Sequence, residues 1–303
     1  MSHSHHGGVV CGDGRSARPG FLAGAKATKR PASVIRPAQP SGAAVARRHL
    51  LVINPNTSSA VSALLQKHVQ QVVHQQADVR TLSARFGAPY IACEASYAVA
   101  AHAVLDTWAA ALVPPQPRPD VVLIGCFGDP GLLALRQASA VPVIGMAQAA
   151  FLEAAQFGRF AIVTGGERWK PMLERLAHML GFGDTLLGIE TVAPTGAQLA
   201  ADPLAARALL AQACQVAARR FNAQAVILGG AGLVGMAEGL SSSLGVPLVD
   251  SVLAGARQAM ISAANAGVST GPGCFDLHWQ GVSKELADLG SPAADAGLPS
   301  PRQ

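Results

Sequence analysis

The chain nearly repeats itself, and this limits its fold more than any other feature of the sequence. Val121-Val122-Leu123-Ile124-Gly125-Cys126 is echoed 104 residues later by Ala225-Val226-Ile227-Leu228-Gly229-Gly230. Val141-Pro142-Val143-Ile144-Gly145 is echoed after 105 residues by Val246-Pro247-Leu248-Val249-Asp250, and Leu51-Val52-Ile53-Asn54 after 110 by Ala161-Ile162-Val163-Thr164. A unit that recurs at such a period builds the same arrangement of elements twice, so two similar lobes are expected. Within each copy, short Val/Ile/Leu runs alternate with longer Ala/Leu/Gln stretches, the rhythm of a parallel sheet covered by helices. Strands are expected at 49–54, 79–83, 120–125, 143–145, 160–164, 188–192, 225–229 and 248–250. The fold class is therefore α/β: two pseudo-symmetric lobes, each a mainly parallel open sheet flanked by helices. Open sheets of this kind bind ligands beyond the carboxyl ends of their strands, which places an active site in the cleft between the lobes.

Composition sorts the rest of the chain. The formal charge of +5 suggests a nucleic-acid partner until it is located. Residues 1–48 hold eight basic residues against Asp13 alone, while the remainder carries 15 basic and 17 acidic residues. The body thus has no cationic face for a phosphate backbone, and no nucleic-acid partner is expected. Residues 1–48, rich in Gly, Ala, Pro, Ser and Arg, read as a disordered basic leader. Lobe 1 is assigned to 49–157, lobe 2 to 158–266, with a chain crossover near 145–160 and 248–266. The Gly/Pro-rich 267–303 reads as a loosely attached tail with a short helix near 282–289. No uncharged run is long enough to span a membrane. Five cysteines without a CxxC pair argue for free thiols in a reducing cytoplasm and against a zinc module.

Helix starts are signalled by Asn56-Thr57-Ser58, Asp129-Pro130 and Asp202-Pro203, each a capping residue ahead of an apolar-periodic stretch. The first also offers a ligand site, because backbone N–H groups at a strand-to-helix turn, with the side chains of Asn56 and Thr57, suit a carboxylate or imide oxygen. Gly125-Cys126-Phe127-Gly128-Asp129-Pro130-Gly131 is the stronger signal. A cysteine at the end of a buried strand, ahead of a Gly-rich turn and a helix, sits among backbone donors that favour a thiolate and bind an anion. Thr164-Gly165-Gly166 follows the matching strand of lobe 2, and Gly229-Gly230-Ala231-Gly232 mirrors the Cys126 loop without a thiol. No dinucleotide or P-loop fingerprint stands in the right context, and His74, His102 and His178 lack metal-ligand spacing.

On these residues the sequence resembles the aspartate/glutamate racemase superfamily, and within it the hydantoin racemase-like branch. The resemblance covers roughly 49–266, and the Cys-Phe-Gly-Asp-Pro-Gly run is its most specific part. It implies an enzyme needing no cofactor, in which two cysteines, one per lobe, flank a Cα carbon and exchange its proton across both faces. The substrate would be a small molecule with a carboxylate or carbonyl beside an acidic Cα, and the protein a homo-oligomer. Cys126 would be the catalytic thiol. Asn56, Thr57, Phe127, Gly128, Thr164, Gly165, Gly230, Ala231 and Gly232 would hold the substrate.

The chain departs from that pattern at one position: where two-thiol members carry the second cysteine stands Gly230. Three outcomes follow. One is a racemase in which another group, such as Cys93 or Glu94, serves the second face. Another is a single-thiol decarboxylase of the arylmalonate type, although there the thiol lies in the second lobe. The last is a two-lobed small-anion binding protein without turnover. Specificity would lie in loops such as 86–97.

Overall fold

The computed structural model describes residues 47–193, 198–199, 202–238, 240, 244–266 and 277–290. Of the leader read at 1–48, residues 1–46 lie outside the described residues, as does most of the tail, and Arg48 belongs to the first strand.

Among the described residues eight strands form two sheets. They are β1 (Arg48–Asn54), β2 (Ala77–Ser83), β3 (Val121–Ile124), β4 (Val143–Gly145), β5 (Phe160–Gly165), β6 (Leu186–Val192), β7 (Ala225–Gly229) and β8 (Leu248–Asp250). The helices are α1 (Ser59–Val73), α2 (Glu94–Ala111), α3 (Leu132–Ala138), α4 (Met146–Ala155), α5 (Trp169–Met179), α6 (Pro203–Arg220), α7 (Ser251–Asn265) and α8 (Lys284–Gly290). Strand order is β2-β1-β3-β4 in one sheet and β6-β5-β7-β8 in the other, all pairs parallel. The repeated sequence has thus become a repeated topology, as the sequence implies. β3, β5 and β7 are buried along their whole length because helices cover both faces, which is why they read as unbroken apolar runs. The edge strands β2 and β6 carry Arg80, Thr81, Glu190 and Thr191 at half-buried positions.

The lobes exchange helices. Helix α4 leaves β4 of the first sheet yet packs against β7 and β8 of the second, and α7 leaves β8 yet packs on β3 and β4. Their mutual contact makes one apolar core continuous across both lobes, from Leu50 and Val52 to Ile162 and Ile227. At its centre Phe151 stacks on Phe160 at 5.6 Å between ring centroids and meets Phe182 edge-on at 5.7 Å. Truncating such a ring to alanine costs about 3–5 kcal/mol, so this cluster fixes how the lobes sit together.

Two expectations need correction. Asp129 does not cap the helix that follows it. It adopts φ 52°, α3 starts from Gly131, and the Asp129 carboxylate instead accepts from the backbone N–H groups of Ala147 and Gln148, 2.8 Å each, at the start of α4. Capping across to a later helix satisfies orphan donors of a buried helix start, which a local pattern does not reveal. Nor is the tail loose where it is described. Helix α8 packs on α2, Leu286 is buried, and Arg85 joins Asp106 to Glu285. The other two caps form as expected, with Ser58 accepting from Val61 and Asp202 from Ala205.

Candidate active site

The carboxyl ends of β1, β3, β5 and β7 and the loops that follow them enclose a cavity of about 70 Å³ between the two sheets. Its residues come from both lobes, and Cys126, Asn56 and Phe127 of the first face Thr164, Gly165 and Gly230 of the second. A space of this size takes a compact molecule rather than a nucleotide.

Asn54 is wholly buried and organises the loop after β1. Its two Nδ2 hydrogens are shared among Asn56 Oδ1 at 3.0 Å, the Ser58 carbonyl at 3.1 Å and Ser62 Oγ at 3.0 Å. Asn56 Oδ1 also accepts from Ser58 N–H at 2.9 Å. With that oxygen committed, what Asn56 can offer a ligand is its Nδ2 donors.

Cys126 follows β3 after Gly125, and its carbonyl accepts from the N–H groups of both Gly128 and Asp129, closing the loop into a tight turn. The thiol is buried. Burial, and then the nearby Asp129 carboxylate, hold it above the ordinary thiol range, so the resting group is S–H. Asp129 itself is pushed up to about 7 by burial, against the pull of the Ala147 and Gln148 N–H groups. Tyr97 donates to the Gly128 carbonyl at 2.8 Å. Both polar groups of Gly128 are therefore engaged, and this residue does not line the cavity. Thr57 does not either: its N–H donates to the Ala88 carbonyl and ties two loops together.

In the second lobe Thr164 Oγ1 donates to the Gly229 carbonyl at 2.7 Å, cross-linking the ends of β5 and β7. Gly230 has φ 146°, a conformation that side chains disfavour, and its N–H donates to Ser251 Oγ at 3.1 Å. Ala231 and Gly232 open a short 3-10 turn, and among the described residues their N–H groups have no partner, as at any such start. They face the cavity as ready donors for an oxyanion.

The glycines around the cavity have a further cause that the sequence hides. Aromatic rings from the opposite lobe lie where their side chains would be. Phe127 of lobe 1 rests on Gly229, held from behind by Phe151 at 6.0 Å, and Trp169 of lobe 2 rests on Gly128. Tyr90 of lobe 1 reaches over to lobe 2, where its hydroxyl donates to the Gly165 carbonyl at 3.2 Å.

Of the sequence-expected residues, Asn56, Cys126, Phe127, Thr164, Gly165, Gly230, Ala231 and Gly232 meet at the cavity, and Thr57 and Gly128 support it from outside. Tyr90, Ile91 and Trp169 line it too. The placing of 86–97 among the specificity loops pointed toward the first two. The alternative bases do not reach it. Glu94 is exposed and paired with both terminal guanidinium nitrogens of Arg175, and Cys93, whose pKa is lowered by hydrogen bonds from Ser96, opens α2. Cys214 is buried in α6 among the outer apolar residues of lobe 2, and burial pushes its thiol up to about 12. Among the described residues no three His, Cys, Asp or Glu side chains gather as a metal would need, and no helix is long and apolar enough to cross a membrane.

Fold and cavity together define a two-lobed α/β protein with a buried thiol at the carboxyl edge of one sheet and backbone donors at the edge of the other. The sequence profile described as Asp/Glu/Hydantoin racemase matches residues 50–259, and the chain belongs to that family. A hydantoin racemase of Paenarthrobacter aurescens is 34% identical over 69% of this chain and 89% of its own length. One from Pseudomonas sp. (strain NS671) is 31% identical over 68% and 82%. The allantoin racemase from Klebsiella pneumoniae superposes with a TM-score of 0.69 at 28% identity, covering 84% of this chain and 97% of that one.

Proposed function

We propose that this chain is a racemase of hydantoin-like substrates in which Cys126 exchanges the proton at the carbon between a carbonyl and a ring nitrogen. The observation that carries the reading is the meeting, in one cavity, of the Cys126 thiol with Ala231 and Gly232, whose N–H groups open the lobe 2 turn. Membership of the family and the named activities of its relatives support it.

In the reaction the substrate carbonyl lies against the lobe 2 turn and the Asn56 amide, with the acidic C–H toward Cys126. Deprotonated, the thiol takes the proton, and the C–H electron pair passes into the carbonyl as an enolate held by those donors. Apolar walls from Ile91, Phe127 and Trp169 keep water from competing for the carbanion. Return of a proton to the other face inverts the centre. The lobes are units 49–157 and 158–266, and the enzyme acts without a cofactor, as a homo-oligomer in the cytoplasm, where Cys93, Cys126 and Cys214, all free, stay reduced.

Proton NMR in D2O tests the reading, using single enantiomers of 5-benzylhydantoin and allantoin and, beside them, phenylmalonate. Loss of the ring C–H signal together with loss of optical rotation is expected. Carbon dioxide release from phenylmalonate alone would replace the reading with the decarboxylase, and inertness toward all three would favour a binding protein.

A further inference from the structure

The two faces of a planar carbanion need two proton carriers, and Gly230 supplies none. Its backbone at φ 146° is also poorly suited to bearing a side chain, so a carrier for that face has to arrive from another segment. Of the described residues that line the cavity, two carry an ionisable proton, Cys126 and Tyr90. Thr164, which donates to the Gly229 carbonyl at 2.7 Å, carries an alcohol far less acidic than a phenol or a thiol.

The geometry points to Tyr90 as the second catalytic acid/base, its phenol serving the substrate face opposite Cys126 in place of a lobe 2 thiol. Tyr90 belongs to lobe 1 by sequence, but its hydroxyl is delivered to lobe 2, at the Gly165 carbonyl, 3.2 Å away. The register of the second sheet says where that is. Thr164 pairs with Gly229 at the end of the ladder, and the next residues on each chain are Gly165, which closes β5, and Gly230, the first residue past β7. Adjacent strands lie about 4.8 Å apart. The phenol thus stands roughly one strand from the position that mirrors Cys126 in the near-repeat. The buried side chain of the next residue, Ile91, anchors the segment, and the hydroxyl lies 3.4 Å from where a Cβ on Gly166 would be.

The step balances without an added reagent. For one enantiomer the Cys126 thiolate takes the substrate proton, an S–H bond forms and the C–H pair enters the enolate. The Tyr90 O–H bond then breaks as its proton forms the new C–H bond on the other face, leaving a phenolate. For the opposite enantiomer the phenolate is the base and the thiol the acid, and exchange with water resets either state.

The inference rests on the racemase reading, and Tyr90→Phe separates the two. In D2O, wild-type protein is expected to exchange and racemise both enantiomers of 5-benzylhydantoin. The variant should lose racemisation by about 100-fold or more, yet still exchange the ring C–H of the one enantiomer presented to Cys126, with rotation retained. Undiminished racemisation by the variant overturns the assignment alone. So does equal loss of exchange for both enantiomers in a variant with native circular dichroism, because Tyr90 would then only position the substrate. Wild-type protein inert toward both enantiomers overturns the racemase reading and the assignment with it. Should the phenylalanine variant not fold, a fluorinated, more acidic tyrosine at position 90 keeps the test open. It should lower the pH at which one enantiomer is deprotonated and leave the other unmoved, and an equal shift for both overturns the assignment.

Discussion

The loops after β3 and β7 occupy equivalent places in two copies of one topology, and they have solved the same mechanical problem from opposite ends. In lobe 1 the carboxylate of Asp129 belongs to the loop and reaches the start of α4 at Ala147 and Gln148. In lobe 2 the carboxylate of Asp250 belongs to the start of α7 and reaches the loop at Gly235 N–H, 2.8 Å, while capping Val252 and Leu253. The near-repeat aligns Gly145 with Asp250, and Gly145 has no side chain because the Asp129 carboxylate fills that space. What the two halves share is the tie between loop and helix. Which residue supplies it, and whether the loop also carries a thiol, has diverged, leaving lobe 1 with a buried thiol and lobe 2 with backbone donors.

The largest effect expected from breaking this comparison is on stability. Asp129→Ala leaves two buried N–H groups unpaired and should cost about 3 kcal/mol, read as a fall in Tm of about 10 °C; Asp250→Ala should cost as much. Gly145→Ala evicts the Asp129 carboxylate, so a variant carrying both Gly145→Ala and Asp129→Ala should be little less stable than either alone. Independent, additive losses would show that the tie is not the shared element.

Making the loops alike at the thiol comes next. Gly230→Cys has room, its nearest neighbour being the Leu233 side chain at 3.4 Å, but the backbone there is strained for any side chain. A loss of about 2 kcal/mol with no gain in racemisation is expected from denaturation and polarimetry. Full stability and faster turnover would mean that the two loops are interchangeable after all.

The smallest effect is on pH dependence. Burial and the Asp129 carboxylate raise the Cys126 pKa, which keeps S–H to higher pH, so the thiolate fraction grows as pH rises. The rate constant kcat/KM for the enantiomer presented to Cys126 should climb about tenfold per pH unit from 7 to 9. A plateau already at pH 7 would mean a thiol far more acidic than its surroundings allow.

The strands were legible because parallel strands buried on both faces write themselves as apolar runs, and the duplicated runs at 121 and 225 gave the two lobes. Cys126 was legible from its place at a strand end. The sequence cannot show which rings cross the cleft. Phe127 on Gly229, Trp169 on Gly128 and Tyr90 on Gly165 are contacts between residues of different lobes, and the glycines read locally only as turns. Asp129 misled for the same reason, since the helix it serves starts 17 residues further on. Thr57 and Gly128 were placed in the site because loop N–H groups look available in a sequence, whereas the folded loops use them internally.

The central claim is that one thiol, Cys126, moves the proton. It is tested most directly by comparing deuterium uptake at the ring carbon of the 5-benzylhydantoin enantiomer presented to Cys126, for wild-type protein and Cys126→Ser, with circular dichroism to check the fold. Uptake reduced by about 1,000-fold in a natively folded variant is the predicted result. Uptake within a few-fold of wild type would contradict it and move the chemistry away from Cys126.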